Sequence, residues 1–176
     1  GVDIVLESLL RLLQQEENLH MLLFGSGAAE LERQLELLAE SEQGWGKICF
    51  LKGYDPALAN QVYAAGDFFL IPSRYEPCGL TDYIAQLLGN LPIVHRVGGL
   101  VKVIDGETGF SYTGNSAGAL AETMQRAIME YRSGKEAMER MQVAAVQRID
   151  SQHTWLVVMD AYMNLYRQAM QRWQPS

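Results

Sequence analysis

Only two cysteines, Cys49 and Cys78, occur in 176 residues, too few and too far apart for a disulfide framework or a zinc site. That scarcity fits a reducing compartment. No run of about eighteen apolar residues is present, and no signal-like stretch opens the chain. Nothing in the sequence is therefore expected to span or cross a membrane. Basic residues are in deficit, 14 Lys and Arg against 21 Asp and Glu for a net charge of −7, which argues against nucleic acid or an anionic membrane as partner. A neutral polysaccharide is compatible with that balance. Internal repeats, low-complexity segments and linkers are also missing, and the length suits one domain with a sizeable core. An initiator Met is absent as well, and Gly1 stands in mid-pattern, as expected of a fragment excised from a longer protein.

What is present is an alternation of helical and strand-like stretches. Ile4, Leu6, Leu9, Leu10 and Leu13 predict a first helix over Asp3–Gln14, and His20–Phe24 reads as a buried strand. Gly25–Ser26–Gly27 turns that strand into a helix from Ala28 to about Ser41. Ile48–Leu51 is the next strand, followed by Gly53–Tyr54–Asp55, and Pro56 opens a helix that runs to Gly66. Near the other end, Ala117 to about Tyr131, the stretch from Gly134 to about Arg148, and 154–173 are helical. Thr154 is a candidate cap of the last of these, and Trp155, Val158, Met159, Tyr162 and Tyr166 form its apolar and aromatic stripe.

The chemistry is concentrated between Phe68 and Leu100. Phe68–Ile71 is a continuous apolar run, expected to be a strand buried on both faces of a parallel sheet and stopped by Pro72. After the loop Ser73–Cys78, Gly79 lets the backbone turn closely, and Leu80, Ile84, Leu87 and Leu88 recur at helical spacing until Gly89 and Asn90. Pro92–Val94 is the next strand. The amides of residues 79–82 are then expected to point out of the carboxyl end of the sheet, where open α/β folds bind ligands and where an anion is favoured. Gly98–Gly99 offers bare backbone to phosphate oxygens a second time. Two such turns side by side suggest a diphosphate, with Arg74 and Arg96 as cations beside it. Glu76 would be repelled by a diphosphate, yet its carboxylate suits sugar hydroxyls; a cap of the helix start or a pair with Arg74 is the competing assignment.

The string PSRYEPCGLT (72–81), followed by PIV and by VGGLVKVIDGETGF, resembles the signature of bacterial glycogen synthases and plant starch synthases. These are retaining glycosyltransferases of the two-domain GT-B architecture, in glycosyltransferase family 5. The resemblance covers only the C-terminal, nucleotide-sugar-binding half. It implies a Rossmann-like α/β/α domain over residues 1–176, with 154–173 a helix returning toward an N-terminal domain. It also implies transfer of glucose from ADP-glucose to the non-reducing end of an α-1,4-glucan, by an enzyme that is cytoplasmic, or plastid if of plant origin. The fragment is expected to be inactive alone, since the acceptor binds the other domain and a Lys and an Arg serving the donor phosphates precede Gly1. No metal or other cofactor is expected.

Residue by residue, the resemblance makes Glu76 the catalytic holder of the sugar. Pro77, Cys78 and Gly79 are expected to shape the floor under it, and Leu80, Thr81, Gly98, Gly99 and Leu100, with Arg74, to line the diphosphate. Gly53 and Tyr54 take the adenine, with Gly25 bordering the donor site. A tyrosine covering the sheet edge is the alternative for Tyr54. Three positions depart from the pattern: Lys102 is usually acidic, His95 commonly Arg and Val97 commonly Thr. His95 reads as a strand residue rather than a base. Among other assignments, GSGAAE starts like a dinucleotide fingerprint, but Glu30 stands where a small residue is needed. A UDP-glucose-dependent relative and a non-catalytic nucleotide or polysaccharide module complete the alternatives.

Overall fold

The alternating pattern becomes helices packed on parallel strands in a computed structural model that describes residues 1–173. Gln174–Ser176, the end of the expected 1–176 domain, lie outside the described residues. The order is α1 (Val2–Leu12), β1 (Met21–Gly25), α2 (Ala29–Glu40), β2 (Ile48–Lys52), α3 (Pro56–Ala65), β3 (Phe68–Ile71), α4 (Thr81–Leu87) and β4 (Leu91–His95). A 3₁₀ helix (Gly98–Lys102), β5 (Phe110–Tyr112), α5 (Ala117–Ser133), α6 (Lys135–Gln152) and α7 (Trp155–Arg172) follow.

All strand pairings are parallel, as βαβ connections require. The expected single sheet is divided, however: β1 pairs with β2, and β3, β4 and β5 pair in that order, with no ladder joining the two groups among the described residues. One core nevertheless spans both groups. Leu9 and Leu12 of α1 belong to one buried cluster with Ile48 of β2, Leu91 and Ile93 of β4, Phe110 of β5 and Leu120 of α5. Burying each such side chain contributes about 1.5–3 kcal/mol, so α1 and α5 hold the divided sheet as one layer.

Every residue of β4 is buried, and this is the strand covered on both faces. The same expectation for Phe68–Ile71 fails, because only Ile71 is buried there. The cause is the cover: α3, although capped by Asp55 through the Ala57 and Leu58 amides at 2.8 and 3.2 Å, has no buried residue of its own. In α4 the residues whose spacing marks the helix are the ones it exposes. Leu80, Ile84, Leu87 and Leu88 face outward while Asp82, Ala85 and Gln86 face the interior. Ala85 permits a close approach, and Gln86 Nε2 donates to the Thr108 carbonyl at 2.8 Å.

The stripe of α7 is not core either. Trp155, Met159, Tyr162 and Tyr166 are exposed, and α7 has no buried residue. Thr154 occupies the N-cap position without a side-chain capping bond, its hydroxyl facing back to the Asp150 carbonyl instead. No helix among the described residues is long and apolar enough to cross a membrane.

Candidate functional site: two glycine turns at the strand ends

Chain direction fixes where the turns lie, since parallel strands place their carboxyl ends on one side. The loop after β3 and the 3₁₀ helix after β4 meet there. The Gly99 amide donates to the Glu76 carbonyl at 2.8 Å. A Cβ built on Gly98 would lie 1.9 Å from the Glu76 carbonyl oxygen, and one on Gly99 would lie 1.9 Å from that of Cys78. Gly98 and Gly99 are thus glycine because two backbones pack flush. This corrects the expectation that both amides stand free for phosphate, since Gly99 spends its own on the neighbouring turn.

Glu76 is partly buried between two donors. Its carboxylate accepts the Ser73 hydroxyl at 3.1 Å and the Gly79 amide at 3.3 Å. Gly79, at φ +72°, makes the turn that a side chain would strain. Helix α4 begins only at Thr81, so of the four expected amides, that of Gly79 is occupied by Glu76. Arg74 does not pair with Glu76; it forms an exposed ion pair with Asp3 of α1. Pro77, Cys78 and Leu80 are exposed around this turn, and Leu100 is fully buried beneath it.

Below the turn lies a charge pair. Lys102 Nζ donates to the Cys78 carbonyl at 2.8 Å and to the Gly79 carbonyl. It stands 3.7 Å from the centre of the Tyr83 ring, a cation–π contact, and 3.2 Å from Asp82 Oδ1. Asp82 is 0 % exposed, and Lys102 is the charged group that faces its carboxylate. Burial pushes the Asp82 carboxyl up to about 6 despite the nearby ammonium, and burial followed by the Asp82 charge pushes the Tyr83 phenol up to about 12.

The second pair of strand ends carries a looser turn. The Gly53 amide donates to the Gly25 carbonyl at 3.1 Å, joining the ends of β1 and β2. The Gly27 amide donates to Glu32 Oε1 at 2.8 Å. Lys52 pairs with Glu32 at 2.5 Å, and these two contacts hold the Glu32 carboxyl below the usual range. Tyr54 follows at the end of β2 with 83 % of its surface exposed. It covers no sheet edge.

The fold that carries these turns recurs in known proteins. The profile of the family described as glycosyl transferases group 1 matches residues 1–148. The chain belongs to that family. Among curated relatives, a glycogen synthase of Streptococcus sanguinis (strain SK36) is 36 % identical over 174 residues, which are 95 % of this chain and 35 % of the relative. A glycogen synthase of Lactococcus lactis subsp. lactis (strain IL1403) is 33 % identical over 176 residues, 96 % of this chain and 35 % of the relative. This group 1 chain therefore spans about a third of the curated relatives it matches. The catalytic domain of starch synthase IV from Arabidopsis thaliana, solved with ADP and acarbose bound, superposes with a TM-score of 0.78 at 26 % identity, over 98 % of this chain and 36 % of that one. The C-terminal domain of a Francisella tularensis group 1 glycosyl transferase shares the fold, with a TM-score of 0.74 at 17 % identity over 88 % of this chain and 80 % of that one. The fold is thus the C-terminal half of a GT-B glycosyltransferase.

Within this group 1 fold the predicted site residues fall into two sets. Glu76, Pro77, Cys78, Gly79, Leu80, Thr81, Gly98, Gly99 and Leu100 come together on β3, α4 and the 3₁₀ helix, and Gly25, Gly53 and Tyr54 on β1 and β2. His95 is a strand residue: buried on β4, it directs Nδ1 to the Ser73 carbonyl at 2.9 Å, and its ring stacks on Tyr112 at 5.1 Å. Since a carbonyl only accepts, Nδ1 carries the proton. A shallow pocket of about 390 Å³ bounded by Arg96, Asp105, Glu122 and Arg126 contains Arg96, expected as a cation beside the diphosphate, and none of the other predicted site residues. Its two cations, Arg96 and Arg126, are matched by Asp105 and Glu122, and Arg126 holds Asp105 through two hydrogen bonds at 2.9 and 3.1 Å.

Sequence reasoning missed Asp82 as the partner of Lys102 and Glu32 as the brace of the first turn. The available signal for Asp82 was a carboxylate on the side of α4 opposite its apolar stripe, which an amphipathic pattern assigns to solvent.

Proposed function

We propose that this chain is the donor-binding domain of a glucan synthase that transfers glucose from ADP-glucose to the non-reducing end of an α-1,4-glucan with retention. The observation that carries it is the braced Glu76, a carboxylate held at the lip of the Gly79 turn by two donors weak enough to exchange. Sugar hydroxyls replace the Ser73 hydroxyl and the Gly79 amide, and each charged hydrogen bond of this kind contributes roughly 1.5–3 kcal/mol. The released Gly79 amide joins those of Leu80 and Thr81 in receiving the diphosphate. Negative charge develops on that group as the glycosidic bond breaks, and dipoles already oriented there stabilise it without reorganisation. No metal is needed for this step in our proposal.

Tyr54 stacks on the adenine, which explains an aromatic side chain left open to solvent. The acceptor glucan is bound by a part of the relatives that this chain does not match, and the exposed stripe of α7 packs against that part. The chain alone binds donor weakly and does not transfer glucose.

The test is a titration of the chain with ADP-glucose, ADP, UDP-glucose and NAD, following backbone amide shifts. ADP and ADP-glucose are expected to move the amides of residues 79–81, and Glu76→Ala to weaken ADP-glucose about tenfold while leaving ADP within about twofold, the equivalent of one charged hydrogen bond. Preference for NAD overturns the assignment, and preference for UDP-glucose changes the donor.

A further inference from the structure

Lys102 is a cation that reaches beneath the Gly79 turn, and the part of the turn it touches is backbone. Its ammonium donates to the carbonyls of Cys78 and Gly79. The peptide bonds of this turn are trans, and in a trans peptide the carbonyl of one residue and the amide of the next point in opposite directions. Drawing the Cys78 carbonyl inward therefore turns the Gly79 amide outward, where it meets Glu76. Drawing the Gly79 carbonyl inward turns out the amide of Leu80, which finds no acceptor among the described residues.

The ammonium is itself confined. The Tyr83 ring lies 3.7 Å away on one side and Asp82 Oδ1 at 3.2 Å on another, and a Cβ added to Gly79 would approach Nζ to 3.3 Å. Lys102 is the charged group that faces the Asp82 carboxylate, beside the backbone of Asp82 and Tyr83. A buried carboxylate held this way costs stability unless paired, so its function is to localise the ammonium. We propose that Lys102, with Asp82 as counter-ion, is the positioning residue of the diphosphate turn, aiming the Gly79 and Leu80 amides at the donor's phosphates. The proposal rests on the donor-binding function above and adds to it a residue that touches no ligand.

It predicts that affinity for phosphate depends on Lys102 while affinity for the nucleoside does not. The probes are ADP and adenosine, titrated into the chain. Because Lys102→Met alone strands a buried carboxylate and risks the fold, the variant is Lys102→Met with Asp82→Asn, compared with Asp82→Asn alone. The double variant is expected to bind ADP at least tenfold more weakly with adenosine affinity unchanged, and Lys102→Arg to recover most of the loss, since a guanidinium also spans two carbonyls. Equal ADP affinity in the two proteins, or a parallel loss of ADP and adenosine, overturns the positioning role and leaves the donor-binding function standing. If the parent chain binds neither ligand, that function fails instead. The positioning role is then decided by the spectrum itself: shifted, faster-exchanging Gly79 and Leu80 amides in the double variant alone support it, and unchanged ones refute it.

Discussion

The two glycine turns are built from the same residue for opposite reasons. At Gly25, Gly27 and Gly53 an added Cβ would meet nothing within 4 Å, whereas at Gly98 and Gly99 it would lie 1.9 Å from a backbone oxygen. The first turn is an open rim with an exposed tyrosine beside it; the second is a floor in which two loops are pressed together over a buried ion pair. Glycine alone does not distinguish a ligand's place from a packing contact, and the space around each one does. The phosphate chemistry proposed here accordingly sits on the amides that the floor leaves outward, and the base on the rim.

The largest break in this contrast is Gly99→Ala. With the Cys78 oxygen in the way, the 3₁₀ helix must move off the Glu76–Cys78 backbone and give up the Gly99–Glu76 hydrogen bond. Overpacking and a lost buried bond together cost about 3 kcal/mol. Chemical denaturation should show that loss, accompanied by loss of detectable ADP binding.

Asp82→Asn comes next and has the opposite sign. The Asp82 carboxyl is raised from 3.8 to about 6, so the folded state holds its proton more tightly than the unfolded chain. Its contribution to stability is complete below about pH 4 and is lost as pH rises through about 6. The neutral amide escapes that loss. The variant should exceed the parent by about 2 kcal/mol at pH 7, with the two converging near pH 4; no pH dependence of the difference would mean that the Asp82 carboxyl titrates alike in the folded and unfolded chain.

How far the sequence foretold this contrast depends on which forces set each position. The strands and helices were legible because apolar periodicity is set by the core, and β4 with α1 and α5 makes that core. The loop 73–81 and Gly98–Gly99 were legible as neighbours because a βαβ unit returns both to the same end of the sheet. The faces of α4 were not. Its interior side carries Asp82 and Gln86 because those residues bond backbone and a lysine sixteen or more positions away in the chain, and no local pattern encodes such partners. For the same reason Lys102 read only as a departure. The stripe of α7 was read in the right place, but α7 has no buried residue, and an apolar stripe in sequence does not say whether its cover lies within residues 1–173.

On the rim, effects are smaller and confined to binding. Tyr54 is exposed and makes no aromatic contact among the described residues, so Tyr54→Ala should leave the midpoint of thermal unfolding within about a degree. Stacking on a base contributes roughly 1–3 kcal/mol, which for this open position predicts about a tenfold weaker ADP complex. Tyr54→Phe should bind as the parent does, since the ring face and not the hydroxyl is used. A loss of stability in Tyr54→Ala would return the residue to a packing role.

The smallest effect sharpens the comparison most. Gly27 has no positive φ, open space where its Cβ would go, and an amide bonded to Glu32 that alanine retains. Gly27→Ala should change stability by less than about 0.5 kcal/mol, on the favourable side, because alanine has fewer unfolded conformations to lose. It should also leave ADP affinity unchanged, since the diphosphate lies on the floor. A dinucleotide site makes the contrary demand, because there the second glycine of the fingerprint lets the backbone approach the pyrophosphate. One methyl group placed at Gly27 thus separates the two uses of this turn: indifference keeps the phosphates at Gly79 and Leu80, and a tenfold loss of nucleotide affinity moves them to Gly25–Gly27.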